Sequence, residues 1–241
     1  MTAGGGQGRR VLVTGGGRGI GAAIVRCLAD AGYAVDYTHR REAGAGPGRP
    51  IACDLADRAA VDALAEAGAG AGYYGFVHNA GLTYDRLAAM VDQDQGEAVM
   101  QVNFWAMTRL VKALVRPMTA AGGGRIVLVG SVAALAGGRG NAIYAASKAA
   151  ALGYMRTLVQ EVARKGVTAN YVAPGFVDTE MMAAYGAHRA RLEAQIPAGR
   201  YAAAGDVAAA VGFLLSDAAG YVNGAVLPVD GGLSSAMAVQ R

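Results

Sequence analysis

The chain has 241 residues, of which 54% are hydrophobic and 17% are charged. A chain of this length and composition can bury a sizeable core within one α/β domain. Its 22 basic and 18 acidic residues give a net charge of +4, and the basic residues form no patch of the kind that binds nucleic acid. No apolar run approaches the about 20 residues of a membrane-spanning helix. We therefore expect a soluble protein that binds neither nucleic acid nor membranes.

Residues 1–9 lack the apolar core of a signal peptide and predict a short flexible leader. Cys27 and Cys53 have no partner motif, which argues against a disulfide framework or a metal site. Buried free thiols are typical of a reducing compartment. We expect a cytoplasmic protein without a bound metal ion.

Residues 10–14 predict a short strand, which a glycine-rich turn and a helix ending at Gly32 follow. Strand, glycine turn and helix in this order are the context that a dinucleotide-binding loop requires. The turn has the pattern TGxxxGxG on Gly15, Gly19 and Gly21. Glycines let the backbone approach a pyrophosphate, and the helix N-terminus supplies free N–H groups.

A second strand over 33–38 runs into His39 and Arg40. In dinucleotide-binding folds an acidic residue near this point binds the adenosine ribose, whereas an arginine accommodates a 2′-phosphate. Asp36 lies inside the strand, too early to reach a ribose, while Arg18 and Arg40 can clamp a phosphate. Two alternatives remain: the arginines are merely solvated, or a shifted register brings Asp36 to the ribose and favours NADH.

The stretch 42–49 is too rich in glycine and proline for a helix, so we expect a loop there. Asp54 follows the third strand, at the sheet edge where ligands of open α/β sheets bind. The other predicted elements are strands over 51–53, 75–81, 125–130, 167–173 and 225–229, and helices over 56–67, 93–120, 142–165 and 204–215. This alternation predicts a doubly wound, seven-stranded parallel sheet of the Rossmann type, in a single domain over 10–241. Residues 176–200 suit a mobile lid over the site.

Ser131 comes directly after a buried apolar strand, and Tyr144 and Lys148 lie four residues apart on an alanine-rich helix. A nearby ammonium favours phenolate over phenol, so we expect Lys148 to lower the pKa of Tyr144. A tyrosine tuned in this way can exchange a proton with a carbonyl oxygen that the Ser131 hydroxyl also binds. Asn103 stands in the middle of a long helix, where its apolar neighbours make a functional role worth considering.

These motifs resemble the short-chain dehydrogenases/reductases in order and spacing, over about residues 10–234. They are TGGGRGIG, HNAG, Asn103, Ser131, YAASK and PGFVDT. Within that family the chain is most similar to the β-ketoacyl-acyl carrier protein reductases. The similarity lies in GRGIG, VAPGFVDTEM, QIPAGR and GAVLPVDGG.

The resemblance implies that Tyr144 is the general acid, that Lys148 binds the nicotinamide ribose, and that Ser131 holds the substrate carbonyl. It implies that Asn103 anchors a water molecule between Lys148 and solvent. The implied NADPH contacts are Gly15, Arg18, Gly19, Ile20, Gly21, His39, Arg40, Asp54, Leu55, Asn79, Ala80, Gly81, Tyr144, Lys148, Pro174, Gly175, Val177 and Thr179.

The resemblance further implies a homotetramer that reduces a 3-oxoacyl thioester on acyl carrier protein, in fatty-acid or polyketide biosynthesis. Two other functions stay open: oxidation or reduction of a free small ketone, alcohol or sugar, and a catalytically silent nucleotide sensor. The intact catalytic set argues against the sensor.

The chain departs from the family pattern in three places. His78 replaces the usual asparagine before NAG, and the loop at 42–49 replaces a helix. Gly122–Gly124 stands where the carrier-protein reductases tend to be basic. Candidates to compensate for that missing charge are Arg139, Arg164 and Lys165.

Overall fold

The computed structural model describes residues 6, 8–44, 46–180, 182 and 188–235. The strands in these residues are β1 (Arg10–Thr14), β2 (Ala34–His39), β3 (Arg49–Ala52), β4 (Tyr73–His78), β5 (Gly124–Val129), β6 (Val167–Pro174) and β7 (Val226–Val229). All seven form one parallel sheet in the order β3-β2-β1-β4-β5-β6-β7. The chain changes direction across the sheet between β1 and β4, so a crevice opens at the carboxyl ends of these strands. The predicted fold class is confirmed.

Helices cover both faces of the sheet. The described helices are α1 (Gly19–Asp30), α2 (Arg58–Ala69), α3 (Gln93–Met100), α4 (Ala106–Ala120), α5 (Ala133–Ala136), α6 (Ala142–Val162), α7 (Arg189–Glu193) and α8 (Ala204–Leu215). The apolar sides of α1 and α8 share one core cluster, and those of α2, α4 and α6 share the other. Because β5 and β6 are buried on both faces, their sequences are almost continuously apolar. Within the described part of the chain, no helix is long and apolar enough to cross a membrane.

The link between β2 and β3 is a loop, as predicted. Residues 42–44 and 46–48 form no helix. β3 begins at Arg49, two residues before the predicted strand, because this side chain reaches back to β2. Its guanidinium donates to both carboxylate oxygens of Asp36, at 2.9 and 2.8 Å.

Asp36 is a buried anchor of the sheet and has no access to a ribose. It is 5% exposed and lies beside Leu12, in the first half of β2. Its carboxylate also accepts hydrogen bonds from Arg10 at 2.7 Å and from the Tyr73 hydroxyl at 2.6 Å. Burial raises the pKa of Asp36, but the bonds from Arg49, Tyr73 and Arg10 outweigh it and lower the pKa to about 2. The alternative that places Asp36 at the cofactor is therefore wrong.

The helix predicted over 93–120 is continuous but contains a short π-helical segment. A π turn at Gln101–Trp105 joins α3 to α4. Such turns insert one extra residue into a helix and are frequent at functional positions. Asn103 lies in the middle of this turn and is completely buried, so it is not the solvent-exposed asparagine that a helix usually carries.

Parts of the predicted leader and lid, namely residues 1–5, 7, 181 and 183–187, lie outside the described residues. Arg9 pairs with Asp217 at 2.6 Å, and its guanidinium lies 4.4 Å from the centre of the Tyr74 ring. Arg9, the last residue of the predicted leader, therefore contacts the folded part of the chain.

Candidate active site

The glycine turn after β1 forms a cradle of backbone donors. Gly15 has φ +68°, and a Cβ there would lie 3.0 Å from the Cα of Ala80. A Cβ on Gly21 would overlap the carbonyl oxygen of Gly15. At the start of α1, Arg18 makes no side-chain capping bond, so the first N–H groups of the helix stay free. Free N–H groups at a helix N-terminus are suited to a phosphate.

Side chains from three strands hold this turn in place. The Thr38 hydroxyl accepts a bond from the Gly15 N–H at 3.0 Å. The Asn79 amide donates to the Gly15 carbonyl at 3.1 Å. The Thr14 hydroxyl accepts from the N–H groups of Asn79 and Ala80, both at 3.1 Å. The predicted contacts Asn79 and Ala80 therefore lie beside the turn, whereas Thr14 and Thr38 were not predicted.

His78 acts as a neutral imidazole under this turn. It is 2% exposed, and its Nδ1 lies 3.1 Å from the Thr14 hydroxyl. Because that hydroxyl already accepts two N–H bonds, its own proton points to Nδ1, and the ring proton resides on Nε2. Burial, followed by the charge of Lys148, lowers the pKa of His78 to about 3. An asparagine amide oxygen could accept the same bond, so this departure preserves the local chemistry.

Both basic side chains and carboxylates lie around the end of β2. Arg40 is exposed and forms no ion pair with any described residue. Arg18 pairs with Glu180 at 3.1 Å, and the two side chains are 73% and 76% exposed. Asp54 is exposed after β3, as expected. Leu55 packs in the core, so its predicted cofactor contact can only come from its backbone.

His39 ends β2 beside the turn, 3.5 Å from where a Cβ on Gly17 would lie. On α1, the partly buried Ile20 packs against the core with α8. Both predicted contacts thus border the glycine turn, although Ile20 contributes mainly packing.

The segment after β6 crosses to the glycine turn. Pro174 ends β6, and the Gly175 N–H donates to the Val229 carbonyl at 3.1 Å. Thr179 lies at the turn, with its methyl group 3.5 Å from where a Cβ on Gly19 would be. Val177 is 5% exposed and packs in the core, which leaves only its backbone for a ligand.

Ser131, Tyr144 and Lys148 meet where β5 ends and α6 begins. The Ser131 hydroxyl lies near enough to the Tyr144 phenol to lower its pKa. Lys148 is 4% exposed, donates from Nζ to the Val129 carbonyl at 3.0 Å, and lies 5.8 Å from the centre of the Tyr144 ring. A Cβ on Gly81 would lie 3.2 Å from the same Nζ. The structure thus brings the predicted catalytic groups together.

The pKa of Tyr144 shifts in the direction opposite to our expectation. Burial raises it, the nearby Ser131 hydroxyl lowers it, and the charge of Asp85 raises it again, for a net increase. Burial also lowers the pKa of Lys148 to about 8, so this ammonium group loses its proton more readily than that of an exposed lysine. Desolvation therefore dominates, and Tyr144 is a protonated phenol at neutral pH, ready to donate a proton.

Asn103 supports the helix that carries these residues. Its amide nitrogen donates to the Ser147 hydroxyl at 2.9 Å and to the Leu82 carbonyl at 3.0 Å. Its amide oxygen accepts from the Leu82 N–H at 2.7 Å. Ser147 in turn donates to the Tyr144 carbonyl at 2.7 Å. Because both amide protons of Asn103 already form hydrogen bonds, a bound water could only donate a hydrogen bond to an oxygen of Asn103.

Sequence reasoning missed four buried or partly buried polar side chains at this site: Thr14, Thr38, Ser147 and Tyr171. Thr14 is the first residue of the TGxxxGxG pattern and Ser147 lies within YAASK, so their positions offered a signal. Thr38 and Tyr171 lie inside apolar strands and offered none.

Comparison with known proteins agrees with this geometry. A family model described as enoyl-(acyl carrier protein) reductase matches residues 15–234. The 3-oxoacyl-[acyl-carrier-protein] reductase FabG of Salmonella typhimurium is 39% identical over 94% of this chain and 98% of that protein. The corresponding reductase MabA of Mycobacterium avium is 40% identical over 93% and 89%.

Among solved structures, a gluconate 5-dehydrogenase from Burkholderia cenocepacia, in complex with NADP and tartrate, superposes with a TM-score of 0.90. It is 33% identical and the match covers 98% of this chain and 99% of that one. The seven-stranded parallel sheet agrees with this structural match. The chain belongs to the short-chain dehydrogenase/reductase family.

Proposed function

We propose that this protein uses NADPH to reduce the ketone of a 3-oxoacyl thioester carried on acyl carrier protein, giving the 3-hydroxyacyl thioester. One observation carries the reaction type: a protonated Tyr144 lies near the Ser131 hydroxyl and beside the buried Lys148. The substrate class comes from the relatives, which are named as 3-oxoacyl-[acyl-carrier-protein] reductases.

The residues present fit NADPH. The free N–H groups at the start of α1 suit the pyrophosphate. Arg40 and Arg18 offer positive charge to a 2′-phosphate, and the nearest strand carboxylate, Asp36, is bound elsewhere. Lys148 and Tyr144 would meet the nicotinamide ribose. When bound, this cofactor supplies a hydride to the carbonyl carbon.

The side chains of the chain supply the proton. Ser131 orients the carbonyl oxygen by a hydrogen bond, and the Tyr144 phenol donates its proton to that oxygen as negative charge develops there. The ketone becomes an alcohol by gaining one hydride and this proton. Lys148, with a pKa of about 8, stabilises the resulting phenolate and can return a proton to it.

The test is turnover of NADPH with 3-oxoacyl thioesters by the wild type and by Tyr144→Phe. We expect kcat to fall by about 10²–10⁴-fold, as is typical when a general acid is lost, with NADPH binding preserved. Tyr221→Phe is a matched control, because Tyr221 is fully exposed and remote from these residues. Near-normal turnover by Tyr144→Phe would exclude Tyr144 as the acid.

A second candidate is oxidation or reduction of a free sugar acid, which the similarity to the gluconate 5-dehydrogenase favours. The same assay with gluconate and NADP separates the two. A higher kcat/KM for gluconate than for any thioester would replace the first proposal. The description of the family model adds a 2-enoyl thioester to the substrate panel.

We propose that exposed basic residues receive the acidic carrier protein. Gly166 packs against the Gly122 carbonyl, so the exposed Arg164 and Lys165 lie beside the segment that lacks charge. Replacing both with glutamate should raise KM for the carrier-bound thioester and leave KM for the coenzyme A thioester unchanged. Equal effects on both substrates would contradict carrier docking here.

We propose a cytoplasmic homotetramer whose contacts use α4 and α6. The exposed side of α6 carries small residues at helical spacing, Ala146, Ala149 and Gly153, which permit close helix approach. Trp105, at the start of α4, is 50% exposed. Closed two-fold symmetry would bury both features. Sedimentation at micromolar concentration should give a tetramer, and a monomer would contradict it.

A further inference from the structure

Tyr171 is a fully buried side chain that touches two catalytic residues through their backbones. It lies on β6, between β5 and β7, and its exposure is 0%. Its hydroxyl accepts a hydrogen bond from the Ser131 N–H at 3.2 Å. The same hydroxyl donates to the Lys148 carbonyl at 3.1 Å. One phenol therefore links the turn after β5 to the second turn of α6.

The absence of a side chain at Gly130 leaves the space that the Tyr171 phenol fills. A Cβ on Gly130 would fall on Cζ and the hydroxyl oxygen of Tyr171. Gly130 does not have a positive φ, so the requirement for glycine here is one of space. The Gly130 N–H donates to the Val172 carbonyl at 2.7 Å, which holds the two backbones too close for any side chain at 130 while the phenol is present.

The Tyr171 hydroxyl keeps its proton at every working pH. Burial raises its pKa strongly, the bond from the Ser131 backbone lowers it, and the Tyr144 charge raises it. The hydroxyl can therefore always donate to Lys148 and accept from Ser131. Its proton is already donated to the Lys148 carbonyl. Tyr171 therefore does not act as an acid towards a substrate, and its role is to hold other groups in position.

We propose that Tyr171 is a positioning residue for the reaction, which fixes Ser131 relative to the helix that carries Tyr144 and Lys148. Ser131 lies two residues after the end of β5, in the turn that leads to α5. Tyr144 and Lys148 project from a different element, α6. The distance between the Ser131 and Tyr144 hydroxyls sets the geometry of proton transfer, and the Tyr171 hydroxyl bridges their two supports.

The first test is kinetic and rests on the proposed ketone reduction. Tyr171→Phe keeps the ring that fills the space beside Gly130 and removes only the bridging hydroxyl. We expect kcat to fall by about tenfold to a hundredfold, as small misplacements of reacting groups do. KM for NADPH should stay within about twofold, because the glycine turn is untouched.

The matched control is Tyr33→Phe. Tyr33 is also buried, at 6% exposure, and its hydroxyl donates to the Leu215 carbonyl at 3.0 Å. It directly precedes β2, at the opposite end of the sheet from Ser131. Tyr33→Phe loses one buried hydrogen bond and Tyr171→Phe loses two, so Tyr171→Phe should lose at least as much thermal stability. Equal kcat values for the two variants would overturn the proposal.

The second test needs no substrate, so it stands even if the proposed reaction is wrong. Hydrogen exchange of the Ser131 amide should be slow in the wild type and in Tyr33→Phe, because the N–H is bonded to a buried group. It should become faster in Tyr171→Phe if that variant folds. Fast exchange at Ser131 in the wild type would overturn the proposal without any variant.

Discussion

Replacing Asp36 with asparagine tests the claim that this carboxylate anchors the sheet and does not bind cofactor. Asp36 sits where β1, β2 and β3 meet, and receives charged hydrogen bonds from Arg10 and Arg49. Asparagine keeps the shape of the side chain and removes its charge. Both arginines would then lose their carboxylate partner.

The expected loss of stability follows from the pKa of the carboxylate. A fall from its ordinary 3.8 to about 2 corresponds to about 2.5 kcal/mol of stabilisation of the charged form. The Arg49 side chain is 62% exposed, so solvent screening reduces that value. We expect Asp36→Asn to lose about 1–2.5 kcal/mol of unfolding free energy at pH 7, which corresponds to a lower Tm by about 2–10 °C for a chain of this size.

The pH dependence gives the sign of the effect. Because the pKa of Asp36 is lowered in the folded state, its contribution is complete above about 4 and disappears as the pH falls towards about 2. The difference between wild type and variant, measured by urea unfolding, should therefore shrink over that interval. Asp62→Asn serves as control, since its pair with Arg109 at 3.5 Å is exposed and should be worth less than about 1 kcal/mol.

Two results would refute the reasoning about Asp36. Equal stability of wild type and Asp36→Asn at pH 7 would show that the network does not anchor β3. A changed ratio of kcat/KM for NADPH and NADH would show that the carboxylate does reach the ribose. Stability and cofactor choice are thus separate outcomes of one substitution.

Two further predictions concern the cofactor side of the site. Arg40→Ala and Arg18→Ala should each reduce the preference for NADPH over NADH, by about tenfold for a well-made charged bond. Added salt should weaken the preference of the wild type as well. A higher kcat/KM for NADH than for NADPH in the wild type would contradict this prediction. Nitrogen NMR of the three histidines should show His78 neutral, with its proton on Nε2, between about pH 5 and 8. Titration of His78 in that range would disprove the neutral form that we infer from its hydrogen bond with Thr14.

The elements that the sequence predicted well are those with strong local signals. β1 and α8 have the predicted bounds, Arg10–Thr14 and Ala204–Leu215, since apolar periodicity and flanking turns define them. The observed bounds of other elements differ from the predicted bounds where one side chain determines the first or last residue. The predicted helix over 56–67 starts at Arg58 because Asp57 caps it, accepting from the Ala59 N–H at 2.8 Å.

Electrostatics at the site depended on burial, which local sequence does not report. The i, i+4 spacing of Tyr144 and Lys148 correctly predicted their proximity. It did not reveal that Lys148 would be 4% exposed, or that desolvation would raise the pKa of Tyr144 and lower that of Lys148. In a proton donor this direction is useful, because the phenol must hold its proton until the carbonyl oxygen becomes basic.

The pair of Gly130 and Tyr171 shows why the remaining part of the site required three dimensions. In sequence, Gly130 is the end of one apolar run and Tyr171 an aromatic residue inside another. The parallel register sets Leu128 beside Tyr171 and Val129 beside Val172, so the phenol extends towards the carboxyl edge and reaches Ser131. Catalytic groups at that edge come from separate strands, and side chains that brace them must come from neighbouring strands as well. Such braces lie in apolar segments, where a polar group attracts attention only after the register is known.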